Sequence, residues 1–330
     1  MEFAKSSKVE DVDPLKGQLR KDEEGQKEQA QMGKLVMVGE IEKTFNELIL
    51  IIRNFLKSDE QVLAINIKGP TGVGKTTLVF YIAGQLSRKL NREVPFEFAQ
   101  CNQAQDYHEL LGYQKIAYDK NKLTTQFVDG PILKAIKAAN ENGIAILLLD
   151  EVNGLAPEAQ KLVNPLLDGR NMVKYGDIEA KINEGKKLIV IGTMNELNPG
   201  YYGINSLNLD LERRFKYTFI LPYPAPENEF KIIHEMVGRD VESSMIMRAI
   251  KLANHTRGEW GGPPISTPML IAFISAFKEF YKSNIPDALM EAFKVGILNH
   301  FDEQLRKSLI EKAKDVGLIP TMTDEKNKDG

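Results

Sequence analysis

The sequence predicts an α/β fold: a parallel sheet flanked by helices, with inserted hairpins, followed by a small all-helical domain. Three observations predict it. Apolar runs of strand length alternate with helical stripes up to about Leu221, and strand patterning then stops. One of these runs, Val62 to Ile67, leads into a glycine-rich loop that opens a helix. Another, Ile144 to Leu149, is apolar at every position, as a strand covered on both faces must be, and ends in an acidic pair.

Residues 1–33 are rich in Lys, Glu, Gln and Asp and are expected to form a disordered charged tail. Order is expected from Leu35, with Ile41, Phe45, Leu48, Ile49, Ile52, Phe55 and Leu56 on one helical face. After the glycine-rich loop a helix runs to about Leu90, and Pro95–Cys101 reads as a strand ending at Asn102. A short helix is expected from Ala104 to Leu111, then a hairpin turning over Asp119–Lys122. The helix Pro131–Asn142 starts on a proline suited to the first helical position. Pro157–Leu167 looks helical, with Pro165 expected to kink or shorten it. A second hairpin, turning at Gly176-Asp177, precedes the strand Lys187–Ile191, and Tyr217–Leu221 is the last strand. Residues 34–222 therefore form the expected α/β domain and 223–318 the helical one, with a polar tail over 319–330. In the helical part, Phe230, Ile233 and Val237, then Val241, Met245, Ala249 and Leu252, then Leu270, Phe273, Ile274, Phe277 and Tyr281 make apolar stripes, the third capped by Thr267, and Leu289, Phe293 and Ile297, then Leu305, Leu309 and Ala313 follow.

Composition narrows the function classes. Hydrophobic residues make up 42% of the chain, enough for a packed core, and the net charge of −3 carries no general nucleic-acid signal. The single Cys101 cannot form an internal disulfide, which suits a cytoplasmic setting. The four histidines lack metal-ligand spacing. The longest apolar stretch, Met269 to Phe277, is interrupted by Ser275 and falls far short of the roughly 20 residues of a membrane span.

The chemistry centres on Gly69-Pro70-Thr71-Gly72-Val73-Gly74-Lys75-Thr76-Thr77, which fits G-x-x-x-x-G-K-[ST] between a strand and a helix. Glycines let backbone N–H groups close round a phosphate chain, and the helix N-terminus adds partial positive charge. Lys75 is expected to reach the β- and γ-phosphates and Thr76 to bind Mg²⁺. Asp150 and Glu151 end a neighbouring strand; Asp150 would hold Mg²⁺ and Glu151 would orient or deprotonate a water for in-line attack. Asn195 also ends a strand and could hydrogen-bond that water or the γ-phosphate. Arg213 and Arg214 could project towards a neighbouring subunit's nucleotide.

The phosphate loop, Leu149-Asp150-Glu151-Val152-Asn153, Gly192-Thr193-Met194-Asn195 and Leu211-Glu212-Arg213-Arg214-Phe215 stand in the order found in AAA+ ATPases, P-loop NTPases with a helical lid. Ala156-Pro157, Leu111-Gly112 and Phe127-Val128-Asp129-Gly130-Pro131 resemble the MoxR branch, with its CbbQ, NorQ, gas-vesicle, dynein and midasin-type relatives. The resemblance covers roughly Leu35 to Phe280. It implies Walker A at Gly69 to Thr77, Walker B at Asp150-Glu151, sensor 1 at Asn195 and an arginine finger at Arg214. Asn102 resembles the polar residue that restrains the catalytic glutamate. Where relatives place a sensor arginine in the lid, this chain reads Ser266-Thr267-Pro268, leaving Arg257 as the alternative cation.

The resemblance further implies ATP and Mg²⁺ as cofactors, a homo-oligomer in the form of a hexameric ring, and ATP-driven remodelling or maturation of a protein client. A von Willebrand A-domain protein is an implied partner. Two other functions remain open on sequence: a nucleic-acid-associated NTPase motor or restriction-type subunit, and a nucleotide-gated assembly protein with little turnover. ATP is favoured over GTP by resemblance alone.

Overall fold

The computed structural model describes residues 35–101, 107–119, 122–195, 209–238, 240–258 and 260–320. The expected tail over 1–33 and Asn102 lie outside them. The chain begins with α1 (Gly39–Phe55), β1 (Val62–Gly69), α2 (Lys75–Leu90) and β2 (Phe96–Gln100). A short α3 (Tyr107–Leu111) leads into the hairpin β3 (Gly112–Asp119) and β4 (Lys122–Asp129), followed by α4 (Pro131–Asn142) and β5 (Ile144–Asp150). Then come α5 (Pro157–Leu167), the hairpin β6 (Met172–Tyr175) and β7 (Ile178–Lys181), β8 (Lys187–Asn195), α6 (Leu209–Glu212) and β9 (Tyr217–Ile220).

Five strands form one sheet in the order β2-β5-β8-β1-β9, every neighbouring pair parallel. The alternation of side chains along each strand divides the apolar residues between two faces. On β5, Ala145, Leu147 and Leu149 pack towards α4 and α5, whereas Ile144, Ile146 and Leu148 pack towards α1 and α2. Ile189 and Ile191 of β8 and Leu63, Ile65 and Ile67 of β1 face the same α1–α2 side. Continuing each alternation aims Asp150, two residues beyond Leu148, and Thr193 and Asn195, two and four beyond Ile191, at that side. The register pairs Gly69 with Asn195 and Gln100 with Asp150, so the carboxyl ends of four strands meet along one edge. Ligands of open parallel sheets bind at this edge.

The remaining elements are helical: α7 (Pro226–Val237), α8 (Ser243–Thr256), α9 (Thr267–Lys282), α10 (Ala288–Gly296) and α11 (Glu303–Asp315). They enclose a separate core built on Ile246, Ile250, Leu270, Phe273 and Phe293, which extends to Leu318 and Ile319. Three expectations need correction. Pro165 lies inside α5 without ending it; the carbonyl it leaves without a helical donor belongs to Lys161, an exposed residue that water can serve. Tyr281 is exposed outside the core, its ring against Phe277, whereas Phe280 of the same turn packs on the core. Thr267 does not cap α9: Ser266 holds that position, and the Thr267 hydroxyl donates to Glu229.

Candidate nucleotide site

The phosphate loop joins β1 to α2 at the carboxyl edge of the sheet. Val73 is buried in the core beneath it and anchors the turn from inside. Gly74 precedes the first helical residue at φ +90°, a left-handed conformation that side chains resist. That turn places Lys75 at the helix start, where it is buried. The Lys75 ammonium donates to the carbonyls of Gly69 at 2.9 Å and Pro70 at 2.8 Å, and to Asn195 Oδ1 at 2.8 Å.

Two further bonds extend this set. The other end of the Asn195 amide donates to Glu151 Oε1 at 2.9 Å. Asn195 therefore spans the loop lysine and the strand-end glutamate. Thr76 donates from Oγ1 to Asp150 Oδ1 at 2.7 Å. Thr193 donates to the same Asp150 oxygen at 2.5 Å and accepts from the Glu151 backbone N–H at 3.0 Å. Thr193 thus fixes both members of the acidic pair. Its role is a surprise of the structure, although its position two residues before Asn195 on a strand puts both on one face.

Asp150 is buried and Glu151 exposed, although they are adjacent. The difference follows from the backbone: Asp150 ends the strand, and Glu151 turns away at φ 55°, ψ 46°. A non-glycine residue in this region carries strain, and such strain gathers where a side chain must be aimed. Cys101 lies buried nearby, its thiol pushed well above the usual range by burial and then by the charges of Asp150 and Glu151. It behaves as a small apolar residue.

The donor set suits a hard cation. Thr76 and Asp150 offer one hydroxyl and one carboxylate at hydrogen-bond distance from each other. Mg²⁺ in nucleotide sites keeps several waters and takes few protein ligands beside the phosphates. No cluster of three or more His, Cys, Asp or Glu occurs among the described residues, and Mg²⁺ held in this way needs none.

Arg213 and Arg214 stand apart from the Lys75–Asn195–Glu151 set. Arg213 is exposed. Arg214 donates from Nη1 to Asp168 Oδ2 at 2.7 Å, and its Nε is buried without a hydrogen-bond partner. Asp168, just after α5, also takes a two-pronged contact from Arg170. That hydrogen bonding, with the charge of Arg214 adding to it, holds the Asp168 carboxyl below the ordinary carboxylate value. Arg257 is committed elsewhere. Its Nη1 and Nη2 each lie 2.7 Å from an oxygen of Glu229, which is fully buried, and its Nε donates to the carbonyl of Ile265.

Residues 64–215 match the AAA domain (dynein-related subfamily) family. An uncharacterized protein of Staphylococcus saprophyticus is 34% identical over 46% of this chain and 52% of its own length. The uncharacterized protein YojN of Bacillus subtilis is 34% identical over 45% of this chain and 44% of its own. The protein CbbQ of Hydrogenophilus thermoluteolus is 27% identical over 62% of this chain and 70% of its own. The chain spans about half the length of the first two relatives. Among the described residues, no helix is long and apolar enough to cross a membrane.

Proposed function

Because this chain carries an AAA+ domain of the MoxR type, we propose that it hydrolyses ATP to ADP and phosphate. The observation that carries the reading is the Asn195 amide, bonded at one end to Lys75 and at the other to Glu151. In this reading one neutral side chain links the cation that would bind phosphate to the carboxylate that would activate water. Phosphoryl transfer asks for little more than such positioning and charge neutralisation.

In this reading the loop N–H groups and Lys75 bind the β- and γ-phosphates, in place of the loop carbonyls that Lys75 now contacts. Thr76 and Asp150 would hold Mg²⁺, which supplies charge neutralisation at the phosphates. Glu151 accepts a proton from the attacking water as its oxygen bonds to the γ-phosphorus and ADP departs. Arg214 completes the site of a neighbouring subunit in a hexameric ring. The work of the ring is remodelling or maturation of a protein client in the cytoplasm, with a von Willebrand A-domain protein as a further partner.

Lys75→Ala and Glu151→Gln test the assignment together. Lys75→Ala is expected to lose ATP binding. Glu151→Gln is expected to bind ATP normally and to lose about 10²-fold or more in hydrolysis, the scale of a general base. Turnover at the parent rate in both variants would remove the assigned site.

A further inference from the structure

Two segments that follow the sheet touch the phosphate loop, one after β9 and one at the start of α9. The Tyr223 hydroxyl, on the segment between β9 and α7, donates to the backbone carbonyl of Thr71 at 3.2 Å. Ser266 and Pro268, at the start of α9, fill the space beside Gly72: a Cβ there would lie 2.8 Å from Pro268 Cδ and 3.0 Å from Ser266 Cβ. The start of α9 therefore packs on the loop with carbon atoms of Ser266 and Pro268.

Tyr223 is itself held from the lid side. The Arg257 guanidinium lies 4.0 Å from the centre of its ring, in the range of a cation–π contact. Arg257 is in turn fixed by Glu229 of α7 and by the Ile265 carbonyl, and Glu229 also accepts from Thr267 at 2.7 Å. This buried cluster joins α7, the end of α8 and the start of α9, and it presents a flat cationic face to one tyrosine. Arg257 cannot swing towards a phosphate without leaving Glu229 charged, buried and short of its main partner. It serves as a clamp on Tyr223.

We propose that Tyr223 is a positioning residue of the nucleotide site: clamped by the lid through Arg257, it holds the Thr71 carbonyl so that the following N–H groups of the loop face the phosphates. The proposal rests on the loop being the ATP site. It makes nucleotide affinity depend on the lid through a tyrosine hydroxyl.

The test is nucleotide titration, steady-state kinetics and thermal melting of Tyr223→Phe and Tyr223→Ala beside the parent protein. Tyr223→Phe keeps the ring over Arg257 and loses only the hydroxyl. It is expected to weaken ATP and ADP binding about fivefold, the scale of one neutral hydrogen bond. KM should rise while kcat at saturating ATP stays within about twofold, because the contact acts on binding rather than on the transition state. The melting temperature without nucleotide should fall only slightly, since the lost bond exists without ligand, and the rise on adding ADP should shrink. Tyr223→Ala, which also removes the platform for Arg257, should bind about tenfold more weakly or worse. Parent-like affinity in Tyr223→Phe overturns the proposal while leaving the ATP site standing. So does a melting temperature that falls equally with and without nucleotide. A parent protein that binds no nucleotide overturns both.

Discussion

The carboxyl edge of the sheet and the lid surround the same loop with opposite kinds of polar chemistry. At the sheet edge the side chains bond one another in a chain, Lys75 to Asn195 to Glu151, and Glu151 ends exposed. In the lid, Arg257 and Glu229 form a bidentate pair from which water is almost fully excluded: the side chains are 8% and 0% exposed. In the proposed reading the edge exchanges partners on binding nucleotide, its bonds giving way to ones with a phosphate or a water. The lid pair is built to keep its partner, because breaking it strands a charge out of water. Tyr223 and the Ser266–Pro268 start of α9 are the contacts between the two regions.

If the edge works across subunits, the largest effect should come from Arg214. Arg214→Ala should lower hydrolysis by about 10³-fold or more, the scale of arginine fingers, with ATP affinity nearly intact; parallel titration and turnover assays check it. The lid comes next, in stability rather than in chemistry. Glu229→Ala should cost roughly 3–5 kcal/mol by leaving the Arg257 cation buried and unpaired. Replacing both partners, Arg257→Met with Glu229→Leu, should cost less than either single change, as read by denaturant midpoints. Equal costs for the single and double variants would mean the pair is not a closed unit.

The smallest effect belongs to Asp168, which lies between the two regimes. Its carboxyl holds Arg214 at the surface of the α/β domain, where such pairs contribute at most about 1 kcal/mol. Its folded pKa is depressed, chiefly by hydrogen bonds from Arg170 and last by the charge of Arg214, so the joint contribution of these contacts is complete above the ordinary value of 3.8 and is lost as pH falls through the lower folded value. Asp168→Asn should therefore lower stability slightly at neutral pH and converge with the parent in acid, which melting curves across pH 2–7 would follow. It should also loosen the aim of Arg214 and reduce turnover more than ATP affinity.

What could be read from the chain was local. The phosphate loop, the all-apolar β5 and the acidic pair after it are contiguous, and their periodicity identifies strand, edge and helix start without any partner. Thr193 was within reach, since strand alternation puts it beside Asn195, but a threonine among apolar residues reads equally well as a strand former. Asp168, Tyr223 and Glu229 were out of reach. Their partners lie 46, 152 and 28 residues away in sequence, and nothing in an isolated acidic or aromatic residue names its partner. Thr267 misled for the same reason: a hydroxyl at a helix start looks like a cap until a buried glutamate comes within 2.7 Å. Pro165 does not shorten α5, because the loss of one hydrogen bond is small beside the buried contacts of Leu162, Val163 and Leu166.

The central claim is that an intact Glu151 and an intact Arg214 act on one nucleotide from two subunits. Mixing Arg214→Ala with Glu151→Gln tests it most directly. Each variant alone is expected to be nearly inactive. Hybrid interfaces that join the intact Glu151 of one to the intact Arg214 of the other should recover a measurable fraction of parent hydrolysis, rising and falling with the mixing ratio. A mixture as inactive as its components, or a parent protein that is fully active as a monomer, would contradict the account.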